Sequence, residues 1–204
     1  GWDGQDYFLE MIKAGQLPKA LEPAAGNLLF NVYRMGVREE AAKYIKVKSV
    51  AAGKPLPPIN ELAQKKGDVV NGAKMYNRAC LGCHVVNGKG VDFGPGLSEI
   101  GSKFGKDGLY LAILMPDAGV SFGYEGYILK LKNGGGGAGI IVSQTENDIE
   151  LKTMGGIINK YPRTDVVEKK MMEKSLMPSN LHASMSEQDL VDLVEYLSSL
   201  KKAN

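Results

Sequence analysis

The chain has 204 residues, is 44% hydrophobic, and carries a formal net charge of +2 from 25 basic and 23 acidic side chains. That suits one large or two small globular domains, and points neither to nucleic acid nor to an anionic membrane surface. The longest apolar run, Leu109 to Met115, is seven residues, against the ~20 needed to cross a bilayer as a helix.

Residues 1–53 read as a helical segment. Apolar positions cluster at Trp2, Tyr7, Phe8, Met11 and Ile12, then at Leu28, Leu29, Val32, Tyr33 and Met35, and a third stretch runs from Val37 to Ile45. Short helices separated by small turns resemble the end of an α-solenoid. The chain opens at Gly1 with no initiator Met and no signal peptide; it reads as a processed chain or a piece of a longer one. Residues 54–68 read as a linker, because Pro55, Pro57 and Pro58 fix an extended backbone and remove donors. Asn71 then opens a helix expected over Gly72 to Ala79.

That helix runs into Cys80-Leu81-Gly82-Cys83-His84, which contains the only two cysteines of the chain. Two thiols separated by two residues span the two vinyl groups on one side of a haem, and the next residue, His84, brings an imidazole under the iron. A redox-active Cys-x-x-Cys belongs at a helix N-terminus after a strand, where the dipole favours thiolate; here the motif follows a helix. A zinc site needs four ligands, and only Cys80, Cys83, His84 and His182 exist among Cys and His. The spacing therefore predicts one covalent haem c. A haem-bound His needs its second ring nitrogen hydrogen-bonded. The stretch Asp92-Phe93-Gly94-Pro95-Gly96-Leu97 offers a rigid turn with a carbonyl to spare.

Leu109 to Leu114 reads as an apolar helix ended by Met115-Pro116. From Gly123 the texture changes to strands: Tyr124 to Leu131, Ile140 to Ser143, Ile149 to Leu151, Ile157 to Lys160, and a fifth at Thr164 to Val167. Short strands joined by Gly-rich turns indicate a small antiparallel barrel or meander, similar in size to SH3-like modules. Lys130, Lys132, Lys152 and Lys160 read as its solvated face, while Tyr161, Arg163, Lys169 and Lys170 are candidates to meet haem propionates. After Met177-Pro178, Ser186 and Asp189 form a capping box for a final helix whose apolar positions run from Leu190 to Leu200.

The entering helix, Cys-x-x-Cys-His, Gly94-Pro95-Gly96-Leu97, Met177-Pro178 and the closing helix resemble class I c-type cytochromes. Val91 to Pro95, Gly119 to Glu125 and Ser175 to Pro178, with the strand-rich insertion, resemble more closely the haem-binding domain of planctomycete- and verrucomicrobia-type multidomain proteins. The resemblance spans about residue 68 to the C-terminus. It implies that the Pro95 carbonyl accepts from His84, that Leu97 and Ile100 pack on the haem, and that Met177 is the second axial ligand. Met115, Met185 and His182 are rivals for that position, and Met177 lies 93 residues beyond His84, a gap the insertion accounts for.

The expected fold is mainly α: a cytochrome c fold over residues 69–119 and 171–204, with a β insertion at 120–170. The expected function is electron transfer by one His/Met-ligated haem c, serving a redox partner protein or a fused dehydrogenase domain, rather than an enzyme. An open-site haem enzyme or sensor, peroxidase-like or gas-binding, is the alternative. Haem attachment of this kind places the protein in the periplasm, or otherwise outside the cytoplasmic membrane.

Overall fold

The computed structural model describes residues 2–18, 21, 25, 29, 35–44, 50–51 and 54–202. They divide into two units, one of residues 1–76, 99–119 and 179–204, the other of residues 77–98 and 120–178.

The first unit is built from helices. In chain order come α1 (Trp2–Lys13), α2 (Met35–Tyr44), the small hairpin β1 (Val50–Ala51) and β2 (Lys54–Pro55), and α3 (Ile59–Gln64). Then follow α4 (Val69–Ala79), whose last three residues belong to the second unit, α5 (Ile100–Lys103), α6 (Lys106–Leu114) and α7 (Glu187–Ser199). The apolar stretch expected through Leu28, Val32 and Tyr33 lies outside the described residues.

Helix α4 starts three residues before the expected Gly72 because Asp68 supplies the cap. Its Oδ1 accepts from the N–H of Val70 at 2.7 Å and of Asn71 at 3.2 Å, satisfying two donors of the first turn. Helix α7 opens on the capping box read from sequence: Ser186 Oγ accepts from Asp189 N–H, and Asp189 Oδ2 accepts from Ser186 N–H, both at 3.0 Å. Its face of Leu190, Val191, Leu193, Val194 and Leu197 is buried. Gly72 is the point where α4 meets α7, since a Cβ there would stand 2.0 Å from the Asp192 carbonyl oxygen. One turn further on, the rings of Tyr76 and Tyr196 lie 5.7 Å apart between centroids. The buried Asp192 carboxylate ties the crossing together, accepting from Asp68 N–H at 2.8 Å, Asn71 Nδ2 at 2.7 Å and Gln188 Nε2 at 2.7 Å. Burial works against the charged carboxylate, but these hydrogen bonds outweigh it and hold its pKa below the usual range.

The second unit carries a hairpin and a sheet. Hairpin β3 (Val85–Val86) and β4 (Lys89–Gly90) turns through Asn87 at φ 50° and Gly88 at φ 76°, the Asn-Gly chemistry of a two-residue turn. The sheet comprises β5 (Gly126–Leu131), β6 (Gly136–Gln144), β7 (Asp148–Thr153), β8 (Ile157–Pro162) and β9 (Val166–Met171). All its pairings are antiparallel, in the order β8-β7-β6-β5-β9: a meander whose last strand returns to the side of the first. Leu129, Ile149 and Leu151 form its core, with Ile141, Tyr161 and Val166 packed against them.

The expectation of a mainly α protein is wrong. The described residues are 42% helical and 23% strand, with this five-stranded antiparallel sheet. The strand content is larger than the sequence suggests because β6 and β9 extend well past their apolar stretches. Strand β9, Val-Val-Glu-Lys-Lys-Met, lies at the sheet edge, where charged residues are tolerated and mask the strand pattern.

Candidate functional site

Helix α4 ends at Ala79, and Cys80 continues the same turn. The N–H groups of Cys83 and His84 both donate to the Cys80 carbonyl, at 3.0 and 2.9 Å. The two thiols and the imidazole thus leave one tight turn of backbone. Hairpin β3–β4 then reverses the chain, so that residues 91–97 run back past the motif. Main-chain bonds hold them there: Val91 N–H donates to Leu81 carbonyl at 3.0 Å, Gly94 N–H to Cys83 carbonyl at 2.6 Å, and Leu97 N–H to Val85 carbonyl at 2.9 Å. Phe93 N–H also donates to Cys83 carbonyl, at 3.2 Å, and its ring is buried.

His84 is fixed by this loop. Its Nδ1 lies 2.7 Å from the Pro95 carbonyl oxygen. A carbonyl only accepts, so Nδ1 carries the proton and the ring lone pair lies on Nε2, the tautomer a metal ligand requires. Burial lowers the His84 pKa, partly offset by the bond to Pro95, which keeps the imidazole neutral and able to ligate. Gly94 supports the ring from the side: a Cβ there would stand 2.6 Å from His84 Cε1 and 2.9 Å from Nδ1. Gly90, at φ 118°, passes so close that its Cβ would meet the His84 carbonyl oxygen at 2.1 Å.

The thiols are in the wrong state for disulfide exchange. Burial, and secondarily the neighbouring Cys83, pushes the Cys80 thiol up to about 12, and burial raises Cys83 as well. A redox-active thiol needs a lowered pKa and a helix N-terminus; these sit at the C-terminal end of α4, where the dipole opposes thiolate. Among the described residues, no group of three or more His, Cys, Asp and Glu side chains could hold a metal ion, which leaves the zinc reading without support. Two thiols in one turn and an imidazole oriented by the Pro95 carbonyl and packed against Gly94 suit a covalently attached haem.

The remaining sequence-predicted residues are placed as follows. Pro95, Leu97 and Met177 lie in the same unit as His84; Ile100 opens α5 in the other unit. Leu97, Ile100 and Met177 are each half-buried, and Met177 N–H donates to Ser175 Oγ at 3.1 Å. Met185 is 1% exposed within the core of the helical unit. His182 is buried in that unit too, whereas its sequence context, a polar loop, suggests an exposed side chain. Two of the basic residues considered for propionates make contacts within the sheet unit: Arg163 Nη1 donates to Thr145 carbonyl at 3.3 Å, and Lys169 Nζ to Gln144 Oε1 at 2.9 Å. Gly90, Gly94 and Phe93 are additions to the site. A glycine directly before the proline was the available signal for Gly94.

Residues 69–126 match the family model for cytochrome c. No curated protein matches the chain. That region is therefore similar to a cytochrome c domain, and such a domain binds haem c covalently and transfers electrons to partner proteins. Among the described residues, no helix is long and apolar enough to cross a membrane.

Proposed function

We propose that the protein is a single-haem electron carrier in which Cys80 and Cys83 hold haem c through thioethers and His84 and Met177 ligate its iron. The observation that carries this reading is the 2.7 Å contact between His84 Nδ1 and the Pro95 carbonyl, one residue beyond the paired thiols. When bound, haem c supplies one-electron redox chemistry. The chain's own part is to orient and tune. The Pro95 carbonyl draws on the Nδ1 proton and raises the basicity of the ligating nitrogen. Gly94 fixes the plane of the ring, and the buried Phe93 helps to keep water from this side of the loop. Leu97, in the same unit as His84, supplies apolar surface to the haem face.

Met177 is favoured as the second ligand because it shares a compact unit with His84 and is only half-buried, whereas Met185 is committed to the core of the helical unit. A thioether ligand raises the reduction potential relative to a second nitrogen ligand. The donor in this proposal is a dehydrogenase, either a partner protein or a domain of the same chain. The location is the periplasm or an equivalent compartment outside the cytoplasmic membrane. The likeness to haem-binding domains of planctomycete-type multidomain proteins supports the fused arrangement.

A pyridine haemochrome spectrum with intact mass tests the reading. One haem per chain, covalently attached, is expected. Cys80→Ser and Cys83→Ser should each weaken attachment, and full haem retention after denaturing extraction of the double variant would refute it. A high-spin ferric spectrum would favour an open-site haem enzyme or sensor over the carrier.

A further inference from the structure

The geometry points to Lys152 as a positioning residue for His84, through which the five-stranded sheet holds the loop that orients the imidazole; this rests on His84 being the haem ligand. Lys152 lies on β7, paired in register with Ile140 on β6 and Ile158 on β8, so its backbone is fixed from both sides. Its Nζ donates to Asp92 Oδ2 at 2.9 Å. The other ion-paired lysines of the sheet behave differently. Lys130 and Lys160 pair with Glu168 and Asp148, carboxylates of the sheet itself, and their side chains are 62% and 59% exposed. The Lys152 side chain is 14% exposed, and its partner belongs to the loop beside the Cys-x-x-Cys-His motif.

A second contact reaches the same loop. Gly156, in the turn between β7 and β8 at φ 76°, lies so close that a Cβ would stand 3.3 Å from Val91 Cγ1 and 3.4 Å from the Asp92 carbonyl oxygen. The sheet therefore touches the loop at Val91 and Asp92 by a turn and by a charge pair. Asp92 is followed directly by Phe93 and Gly94, which bond to the Cys83 carbonyl, and by Pro95, which accepts from His84. A shift of Asp92 passes along three residues of tightly bonded main chain to the ligand's hydrogen bond. An exposed carboxylate such as Asp92, 72% exposed, adds little to global stability through an ion pair. Its effect here is to select one position of the loop.

Electrostatics and positioning make opposite predictions, which gives the test. If the two side chains act only as charges near the haem, Lys152→Met removes a cation and lowers the midpoint potential, while Asp92→Asn removes an anion and raises it. If they act by holding the loop, both variants loosen the same contact and weaken the Pro95 hydrogen bond to His84. The ligating nitrogen becomes less basic, and both potentials rise. Holoprotein of Lys152→Met, Asp92→Asn and the double variant would be compared by spectroelectrochemical titration and by amide hydrogen exchange at Phe93 and Gly94. The expected result is an upward shift in both single variants, faster exchange at both amides, and no further change in the double variant. Shifts of opposite sign, additive shifts, or an unchanged potential with unchanged exchange would overturn the proposal. Should Lys152→Met unfold the sheet, amide exchange at Phe93 and Gly94 in Asp92→Asn carries the test alone, because that variant raises the potential on either reading: faster exchange supports the proposal and unchanged exchange overturns it. Failure of the unaltered protein to carry covalent haem would instead refute the functional reading.

Discussion

Gly94 offers the sharpest test of how the loop controls His84. Gly94→Ala adds one methyl group, and the backbone there lies outside the left-handed region, so conformational strain does not confuse the result. The new Cβ would stand 2.6 Å from His84 Cε1, 2.9 Å from Nδ1 and 3.1 Å from Nε2. Carbon atoms pack at about 3.5–4.0 Å, so ring and loop must separate by about 1 Å. The hydrogen bond from Nδ1 to Pro95 is 2.7 Å; stretched by that amount it passes beyond hydrogen-bonding range. Overpacking costs about 1–3 kcal/mol, and the lost bond about 0.5–1.5 kcal/mol. Together they destabilise the holoprotein by about 1.5–4.5 kcal/mol. The midpoint potential should rise, because the ligating nitrogen loses basicity. Denaturant unfolding and spectroelectrochemistry of the holoprotein read the two effects. Gly96→Ala and Gly82→Ala are the controls, since a Cβ at either meets nothing within 4 Å. If Gly94→Ala matches those controls to within about 0.5 kcal/mol and leaves the potential unchanged, the contact with the imidazole does not govern the ligand.

Gly72→Ala should destabilise the protein by about 3 kcal/mol in thermal unfolding, although alanine gains about 1 kcal/mol in helix propensity. The reason is that its Cβ would meet the Asp192 carbonyl at 2.0 Å, backbone that cannot step aside. Asp192→Ala leaves the donors of Asp68, Asn71 and Gln188 without their shared acceptor, and should cost about 3 kcal/mol in denaturant titration. The folded-state pKa values of Asp192 and Glu195 lie below their ordinary 3.8 and 4.5, Glu195 chiefly through its bond from Lys106 and then that from Gly67. The stability they add is complete at neutral pH and is lost as the pH falls below those values, so Glu195→Gln should flatten the acid limb of the stability-pH curve. Met177→Ala should abolish the weak far-red ferric charge-transfer band of methionine ligation and lower the potential, whereas Met115→Leu and Met185→Leu should retain the band; its survival in Met177→Ala would rule that ligand out.

What the sequence made legible follows the range of the interactions involved. The capping box of α7 and the Met115-Pro116 helix end are settled by residues within four positions of one another, and local chemistry decides them. The Cys-x-x-Cys-His spacing belongs with these, since a haem imposes its own short ruler on the chain. The sequence understates strand β9 because two adjacent lysines and a glutamate break its alternation, and its pairing with β5 is what stabilises it. The fate of Lys152 could not be read at all. It looks like Lys130 and Lys160 in composition and spacing, and differs only because Asp92, 60 positions away, meets it. Gly94 lies between these cases: its place before Pro95 marks a turn, but the need for glycine comes from an imidazole ten residues earlier.

The same distinction bears on how the site tolerates change. Apart from the bond from the His84 ring to Pro95, the hydrogen bonds described between residues 91–97 and residues 81–85 are main-chain bonds, which any side chain permits. Val91 and Leu97 can therefore vary in size without loss of the frame, as long as their N–H groups stay in place. Gly90 and Gly94 cannot, because each is where two stretches of chain come closer than a Cβ allows. Pro95 stands between these extremes. Its carbonyl, not its ring, accepts from His84, but the ring fixes φ and so limits the directions in which that carbonyl can point. Pro95→Ala should then keep the haem and the hydrogen bond while broadening the orientation of His84. Low-temperature EPR of the ferric protein reads that as a spread of g-values with unchanged haem content. A single narrow spectrum identical to that of the unaltered protein would show that the main-chain bonds of Phe93 and Gly94 fix the carbonyl by themselves.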